Sequence, residues 1–294
     1  MPYGHGQTRA IGIALVCTTT LLFATLDATA KWLVQTLPVV QLVWLRFFTH
    51  VLITSALLAP SQGWLLVRVH SPRLQLLRGL MLATMTGLNF WALQYLQLAQ
   101  TGAMQFSVPI LISVFSVWWL AERLDARRWI AIVVGFVGVL LIIRPSASGF
   151  HPAILLSLGN AVLYALFNMM TRSMARTENA AATQLMSALV PTILLMPFAL
   201  WQWQTPQTWA EWALIALLGL CGGMGHYGLA LAHRHASAAV LAPFLYQQII
   251  YMTLLGWLVF DQVPDAAVVL GSLIVVASGL YLLWREVRRS GSGP

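Results

Sequence analysis

Charge is scarce in this chain: charged residues make up 8% of its 294 residues, against about 25% in an ordinary soluble domain. That scarcity excludes a water-soluble globular protein. The 59% of residues that are hydrophobic form apolar runs of membrane-spanning length almost end to end, where a soluble fold would gather them into one or two cores. Cysteine is nearly missing as well. The two present, Cys17 and Cys221, lie inside apolar segments, which points to small packing residues and away from a disulfide framework or a metal site. No H-E-x-x-H, G-x-S-x-G or P-loop pattern occurs, and the carboxylates outside the apolar runs are dispersed in loops. An enzyme is therefore the weaker class, and no cofactor is expected. A net charge of +8 does not imply a nucleic-acid partner, because the basic residues stand one to three at a time between apolar runs.

What is present is a succession of spans. About 20 apolar residues cross the hydrocarbon core as a helix, and that ruler predicts spans at 11–31, 38–59, 74–97, 101–120, 129–143, 153–174, 182–202, 209–232, 236–260 and 265–284. The expected fold is an all-α polytopic membrane protein of ten transmembrane helices. Leu37-Pro38, Pro60 to Gly63, Ser71-Pro72 and Val263-Pro264-Asp265 punctuate the spans, by removing a donor or freeing the backbone.

Loop charge sets the orientation. With a cytoplasmic N-terminus, the inner segments hold thirteen basic residues: Arg9, Arg68, Arg73, Arg78, Arg123, Arg127, Arg128, Arg172, Arg176, Arg234, Arg285, Arg288 and Arg289. The outer segments hold Lys31 and Arg144, with Arg46 inside a span. The bias predicts both termini in the cytoplasm, as for an inner-membrane protein. Ala28-Thr29-Ala30 imitates a signal-peptide cleavage site, but Asp27 beside it and the internal repeat argue against removal of the first span.

Sliding the chain against itself by 141 residues places Leu22-Phe23-Ala24 on Leu163-Tyr164-Ala165, Asp27 on Asn168, Lys31 on Arg172, Gly138 on Gly279 and Arg144 on Arg285. Generic similarity of apolar helices accounts for the Leu and Ala matches but not for the polar ones. Each unit holds an odd number of spans, so the second enters the membrane from the opposite side. The expected organisation is a first repeat at 11–144, an inverted second repeat at 153–285 and a cytoplasmic tail at 286–294. Inverted repeats place a binding site near the bilayer midplane and let it open to either side in turn.

Residues four apart share a helix face, so Thr19, Phe23, Asp27 and Lys31 form one stripe and Asn160, Tyr164, Asn168 and Arg172 its counterpart. Polar groups unsatisfied in hydrocarbon cost roughly 2–7 kcal/mol, and both stripes are expected to line the interface between halves. Asp27 is the most informative residue, because an intramembrane carboxylate is costly and functional by default. It can hold a substrate ammonium or sulfonium or take a coupling proton; the bland alternative is a structural ion pair with Arg46 or Lys31. Arg46 can hold a substrate carboxylate, and the pair would suit a zwitterion. Asn89, Trp91, Gln94, Gln105, His226, Tyr246, Gln247, Gln248 and Tyr251 add amides, rings and one imidazole able to orient a polar ligand. Each also has a helix-joining or belt reading. Trp201, Trp203, Trp209, Trp212 and Trp284, at span ends, read as an interfacial belt. Gly219, Gly222, Gly225 and Gly228 read as a close-packing stripe.

Several motifs carry a family resemblance. They are Pro109 through Ala121-Glu122-Arg123-Leu124, Gly135 to Val139 and Arg144-Pro145 in the first half. In the second they are Ala242-Pro243-Phe244 through Leu255-Gly256-Trp257, Phe260 to Asp265, and Ser278-Gly279-Leu280-Tyr281. With these the chain resembles ten-helix carriers of the drug/metabolite transporter superfamily with two EamA domains. Leu26-Asp27-Ala28, Lys31-Trp32-Leu33 and Gly222 to His226 are similar to bacterial S-adenosylmethionine-type members. One departure is Asp261-Gln262, where the family usually has Gly-Glu, which leaves that carboxylate no expected role beyond capping. The resemblance implies a transporter of a small polar or zwitterionic metabolite, such as an amino acid, its derivative or an organic cation. Its partners are that substrate, the bilayer and a candidate coupling proton, and it is expected as a monomer or homodimer. A lipid-linked-sugar flippase, with a lateral polar groove, and a non-catalytic membrane scaffold, tolerant of Asp27→Ala, are the alternatives.

Overall fold

The computed structural model describes residues 5–119, 126–143, 151–174, 177–236 and 238–290. Among these residues all regular structure is helical. In chain order the helices are α1 (His5–Leu33), α2 (Val39–Gln62) with a 3-10 turn at Gly63–Leu66, α3 (Pro72–Tyr95), α4 (Leu98–Gln105), α5 (Val108–Trp119) and α6 (Ala126–Ile143). The second half supplies α7 (Ala153–Met174), α8 (Ala180–Trp201), α9 (Trp209–His235), α10 (Ala238–Leu245), α11 (Gln248–Phe260) and α12 (Ala266–Ser290). Seven segments are long and apolar enough to cross a membrane, and three shorter apolar helices lie within α6, α11 and α12. This is a polytopic membrane protein, and the apolar segments fall where the ten spans are expected. The helix α12 runs on to Ser290, into the stretch expected as a tail. Ala121 to Leu124, Arg144-Pro145 and Arg176 lie outside the described residues.

Two expected spans are each divided. The fourth becomes α4 and α5, and the ninth becomes α10 and α11. Pro109 is one cause: it has no N–H to give the carbonyl of Gln105, so the helix cannot run through at full bonding. The second break is a tightened turn in which Gln247 N–H donates to Phe244 O at 3.3 Å and Ile249 N–H to Tyr246 O at 3.2 Å. Moving 98–105 by 140 residues gives 238–245, so the two breaks occupy equivalent places in the two halves.

Helix pairing follows the same symmetry. The first span, α1, packs on α9, the eighth; its counterpart is α3 on α7, the third on the sixth. The self-equivalent pairs are α2 on α8 and α6 on α12. At the last of these the backbones touch: a Cβ on Gly138 would stand 2.9 Å from the Gly271 carbonyl oxygen. The glycine stripe of α9 packs as expected, since a Cβ on Gly225 would meet Phe23 at 2.6 Å and one on Gly228 would meet Thr19 at 2.7 Å.

Two basic residues counted as loop charges are buried instead. Arg78 is on α3, where Nε donates to Thr171 Oγ1 at 3.1 Å and Nη1 to Ser187 Oγ and to Thr183 O at 3.4 Å, with the guanidinium 4.4 Å from the Phe167 ring. Lys31 is 5% exposed. Without them the loop bias is twelve against one, in the same direction. Trp201 and Trp209 are 82% and 89% exposed, as a belt requires, whereas Trp203 turns inward and meets Trp44 edge-on at 6.3 Å.

Candidate functional site

Asp27 lies six residues before the end of α1 and is half-buried. Its Oδ1 accepts a 2.8 Å hydrogen bond from Asn89 Nδ2 on α3, and among the described residues its second oxygen accepts none. The two residues open onto a cavity completed by Thr101, Gly102, Gln105, Phe106, Gln248 and Met252. Both helix breaks meet there. Gln105 ends α4, Phe106 caps it, and Gln248 begins α11. Phe106 and Tyr246, equivalent under the 140-residue shift, touch ring to ring at 5.0 Å.

The polar lining is one carboxylate among amides and a hydroxyl. Gln105 is held by Asn160, whose Nδ2 donates to Gln105 Oε1 at 3.2 Å. Thr101 is occupied with the Leu98 carbonyl at 3.0 Å. Lys31, one turn beyond Asp27, does not pair with it: its ammonium donates to Leu93 O at 2.8 Å and Leu96 O at 2.7 Å, the open carbonyl end of α3, and sits 5.7 Å from the Phe260 ring. A cation is favoured at a helix C-terminus, so the structure uses Lys31 as a fastener. Nor does Arg46 form an ion pair with Asp27 among the described residues. It is within electrostatic reach of that carboxylate and lies 4.4 Å from the Phe47 ring. The cavity therefore presents a carboxyl group with one oxygen unengaged among the described residues.

Residues 10–144 and 151–284 each match the EamA-like transporter family. The chain belongs to that family. Similar proteins include an S-adenosylmethionine uptake transporter of Rickettsia bellii, 26% identical over 95% of this chain and 96% of that protein. A pseudopaline exporter of Pseudomonas aeruginosa is 28% identical over 92% and 95%. A riboflavin transporter of Vibrio cholerae is 29% identical over 68% and 67%. A crystal structure, 21% identical, covers 97% of this chain and 100% of its own at a TM-score of 0.65, which is a likeness of fold. These relatives are named for transport in both directions and are not named as enzymes.

Within this EamA chain the residues expected at a site divide into groups. Asp27, Asn89, Gln105 and Gln248 come together in the cavity, and Asn160 supports it from α7. Gln94 instead donates to Val34 O at 3.0 Å, joining α3 to the end of α1. Gln247 accepts from Cys17 Sγ at 3.2 Å and donates to Tyr251 Oη. Asn168 bonds back to Tyr164 O at 2.7 Å on its own helix, so neither it nor Tyr164 lines the cavity, although the repeat places Asn168 opposite Asp27. Trp91 is 44% exposed on the outer face. His226 lies apart from the cavity, edge-on to Phe23 at 5.1 Å and stacked on His50 at 6.0 Å. Sequence reasoning missed His50, Thr101 and the cavity-lining Met252. For His50 a signal existed: it falls four residues after Arg46, on the same face.

Proposed function

We propose that the protein is a carrier of the bacterial inner membrane that moves a small polar organic metabolite bearing a cationic group by alternating access, with both termini cytoplasmic. The observation that carries this reading is the Asp27 carboxylate, bonded through one oxygen only to Asn89, in a cavity where the two repeat-equivalent helix breaks meet. Inverted-repeat carriers bind cargo at such interrupted helices, and a desolvated carboxylate favours an ammonium or sulfonium over a neutral solute. S-adenosylmethionine, for which the Rickettsia bellii relative is named, has both groups, so amino-acid derivatives of that kind are the first class to test. Asp27 is also the candidate coupling-proton site. The functional unit is a monomer or homodimer, since one chain contains a whole cavity.

The test is uptake into proteoliposomes, after a thermal-shift screen of amino acids, their derivatives, nucleosides and organic cations has selected a cargo. Asp27→Asn keeps the size of the side chain and removes the charge. It should lower uptake by at least about tenfold, the ratio for one charged hydrogen bond, with yield and unfolding temperature near wild type. Wild-type uptake with unchanged pH dependence would reduce Asp27 to a scaffold.

A further inference from the structure

On the face that α2 turns toward α8 and α9, Arg46 and His50 lie one helical turn apart, 4% and 1% exposed. Their polar atoms are unpartnered in a way no other cationic cluster among the described residues shares. Arg46 Nε and Nη1 and His50 Nδ1 are buried with no hydrogen-bond partner. Arg78 is the contrast, with Nε and Nη1 both taken by acceptors from α7 and α8.

The tautomer of His50 follows from its neighbour. Gln184 on α8 places its amide Nε2 3.1 Å from His50 Nε2. An amide nitrogen only donates, so Nε2 accepts and the ring proton is on Nδ1. His50 therefore adds a third N–H donor to the two of Arg46. The facing wall is glycine. A Cβ on Gly222 would stand 3.4 Å from Arg46 Nε and 3.6 Å from Nη2, and one on Gly223 3.4 Å from His50 Cδ2. The missing side chain of Gly222 leaves room beside the Arg46 donors, whereas Gly223 borders the Cδ2 edge of the His50 ring, away from Nδ1. His226, one turn further along α9, stacks on His50 with an interplanar angle of 9°.

A buried guanidinium without an acceptor carries a large desolvation cost, and an oxyanion is the ligand that relieves it, through charge-assisted hydrogen bonds from a planar donor fork. We propose that Arg46, faced by Gly222 and with His50 one turn on, forms an anion subsite that takes the carboxylate of the cargo, whose cationic group is held at Asp27. The proposal rests on the reading of the Asp27 cavity as the cargo site. It names the substrate class as a zwitterion, with its two charges on the α1–α3 side and the α2–α9 side of one molecule. A free inorganic anion such as chloride has the same chemistry, and the experiment separates the two.

The unfolding temperature of purified full-length protein is followed in detergent at constant ionic strength, a bulky sulfonate being the balancing anion. Three probes are titrated: formate, chloride and trimethylsulfonium. Formate should stabilise the wild type saturably, with a midpoint raised about tenfold or more in Arg46→Gln. Gly222→Ala should do the same. Its methyl makes ordinary contacts, so the fold is kept while the space beside Nε is filled, which preserves the test if Arg46→Gln does not purify. Asp27→Asn should keep the formate response and lose that to trimethylsulfonium. Trimethylsulfonium without effect and formate still active would reject the Asp27 reading while leaving the anion subsite standing. A response to chloride with none to formate overturns the assignment to cargo. No response to either anion, or equal responses in wild type, Arg46→Gln and Gly222→Ala, overturns the subsite itself.

Discussion

Asp261 ends α11 at φ 52°, the one non-glycine residue of positive φ among those described. The turn is a helix stop: Gln262 N–H donates to Gly256 O at 2.9 Å and Asp261 N–H to Trp257 O at 3.1 Å, closing the last carbonyls. Such stops favour glycine in the left-handed position, and here the chain has Asp261 in its place. The departure has a physical cost, because a side chain there meets the following carbonyl at about 1–2 kcal/mol. Glycine would remove that strain and lose about 0.5–1 kcal/mol to greater freedom of the unfolded chain. Asp261→Gly should therefore stabilise the protein by about 0.5–1 kcal/mol, read as a higher unfolding temperature in detergent. An unchanged or lower value would mean that the Asp261 side chain contributes something a glycine cannot replace.

The helix breaks are the feature of the elements that most directly shapes the cavity, and they were the least legible in the sequence. The ten spans read clearly because apolar runs of bilayer length alternate with Arg, Pro and Gly. Nothing in the apolar pattern marks Phe106 or Tyr246, which continue the runs on both sides; Pro109 was the available signal, and it acts on one break only. The Asp27 stripe was legible because polar residues four apart in hydrocarbon must turn toward protein. What each does there was not, since it depends on where neighbouring helices end: α3 stops at Tyr95, leaving carbonyls that capture Lys31. Asn168, matched to Asp27 by position, satisfies itself on its own backbone. The Phe106–Tyr246 contact at 5.0 Å couples the two breaks, and aromatic pairs contribute about 0.5–1.5 kcal/mol beyond area. A double-mutant cycle of Phe106→Leu and Tyr246→Leu, measured by unfolding in detergent, should give a coupling in that range. Additive single effects would show that the two breaks are energetically independent.

For the whole molecule the question is which contacts hold the cavity closed on one side. In the proposed orientation, with the N-terminus cytoplasmic, the ends of α1 and α3 at Leu33 and Tyr95 would face outward. They are tied there by Lys31 to Leu93 O and Leu96 O and by Gln94 to Val34 O. These bonds lie between Asp27 and the ends of α1 and α3, which makes them the candidate outer latch. Lys31→Met keeps the length of the side chain and deletes two charge-assisted bonds. A hydrogen bond to a charged group contributes about 1.5–3 kcal/mol, enough to raise the outward-open population about tenfold or more. The readout is labelling of Thr101→Cys, a cavity residue, by a membrane-impermeant maleimide added to whole cells, with Cys17→Ser and Cys221→Ser removing the native thiols. Labelling from outside should be about tenfold faster with Lys31→Met. Arg172 is the sequence equivalent of Lys31 under the 141-residue shift, and alternating access by an inverted repeat predicts that Arg172→Met speeds labelling in inside-out vesicles instead. Opposite effects of two equivalent residues are what alternating access by an inverted repeat requires. If both variants label faster from the same side, the two ends are not exchanged by the symmetry and the rocking mechanism fails. If neither changes labelling, Lys31 only packs the end of α3 and the latch lies elsewhere.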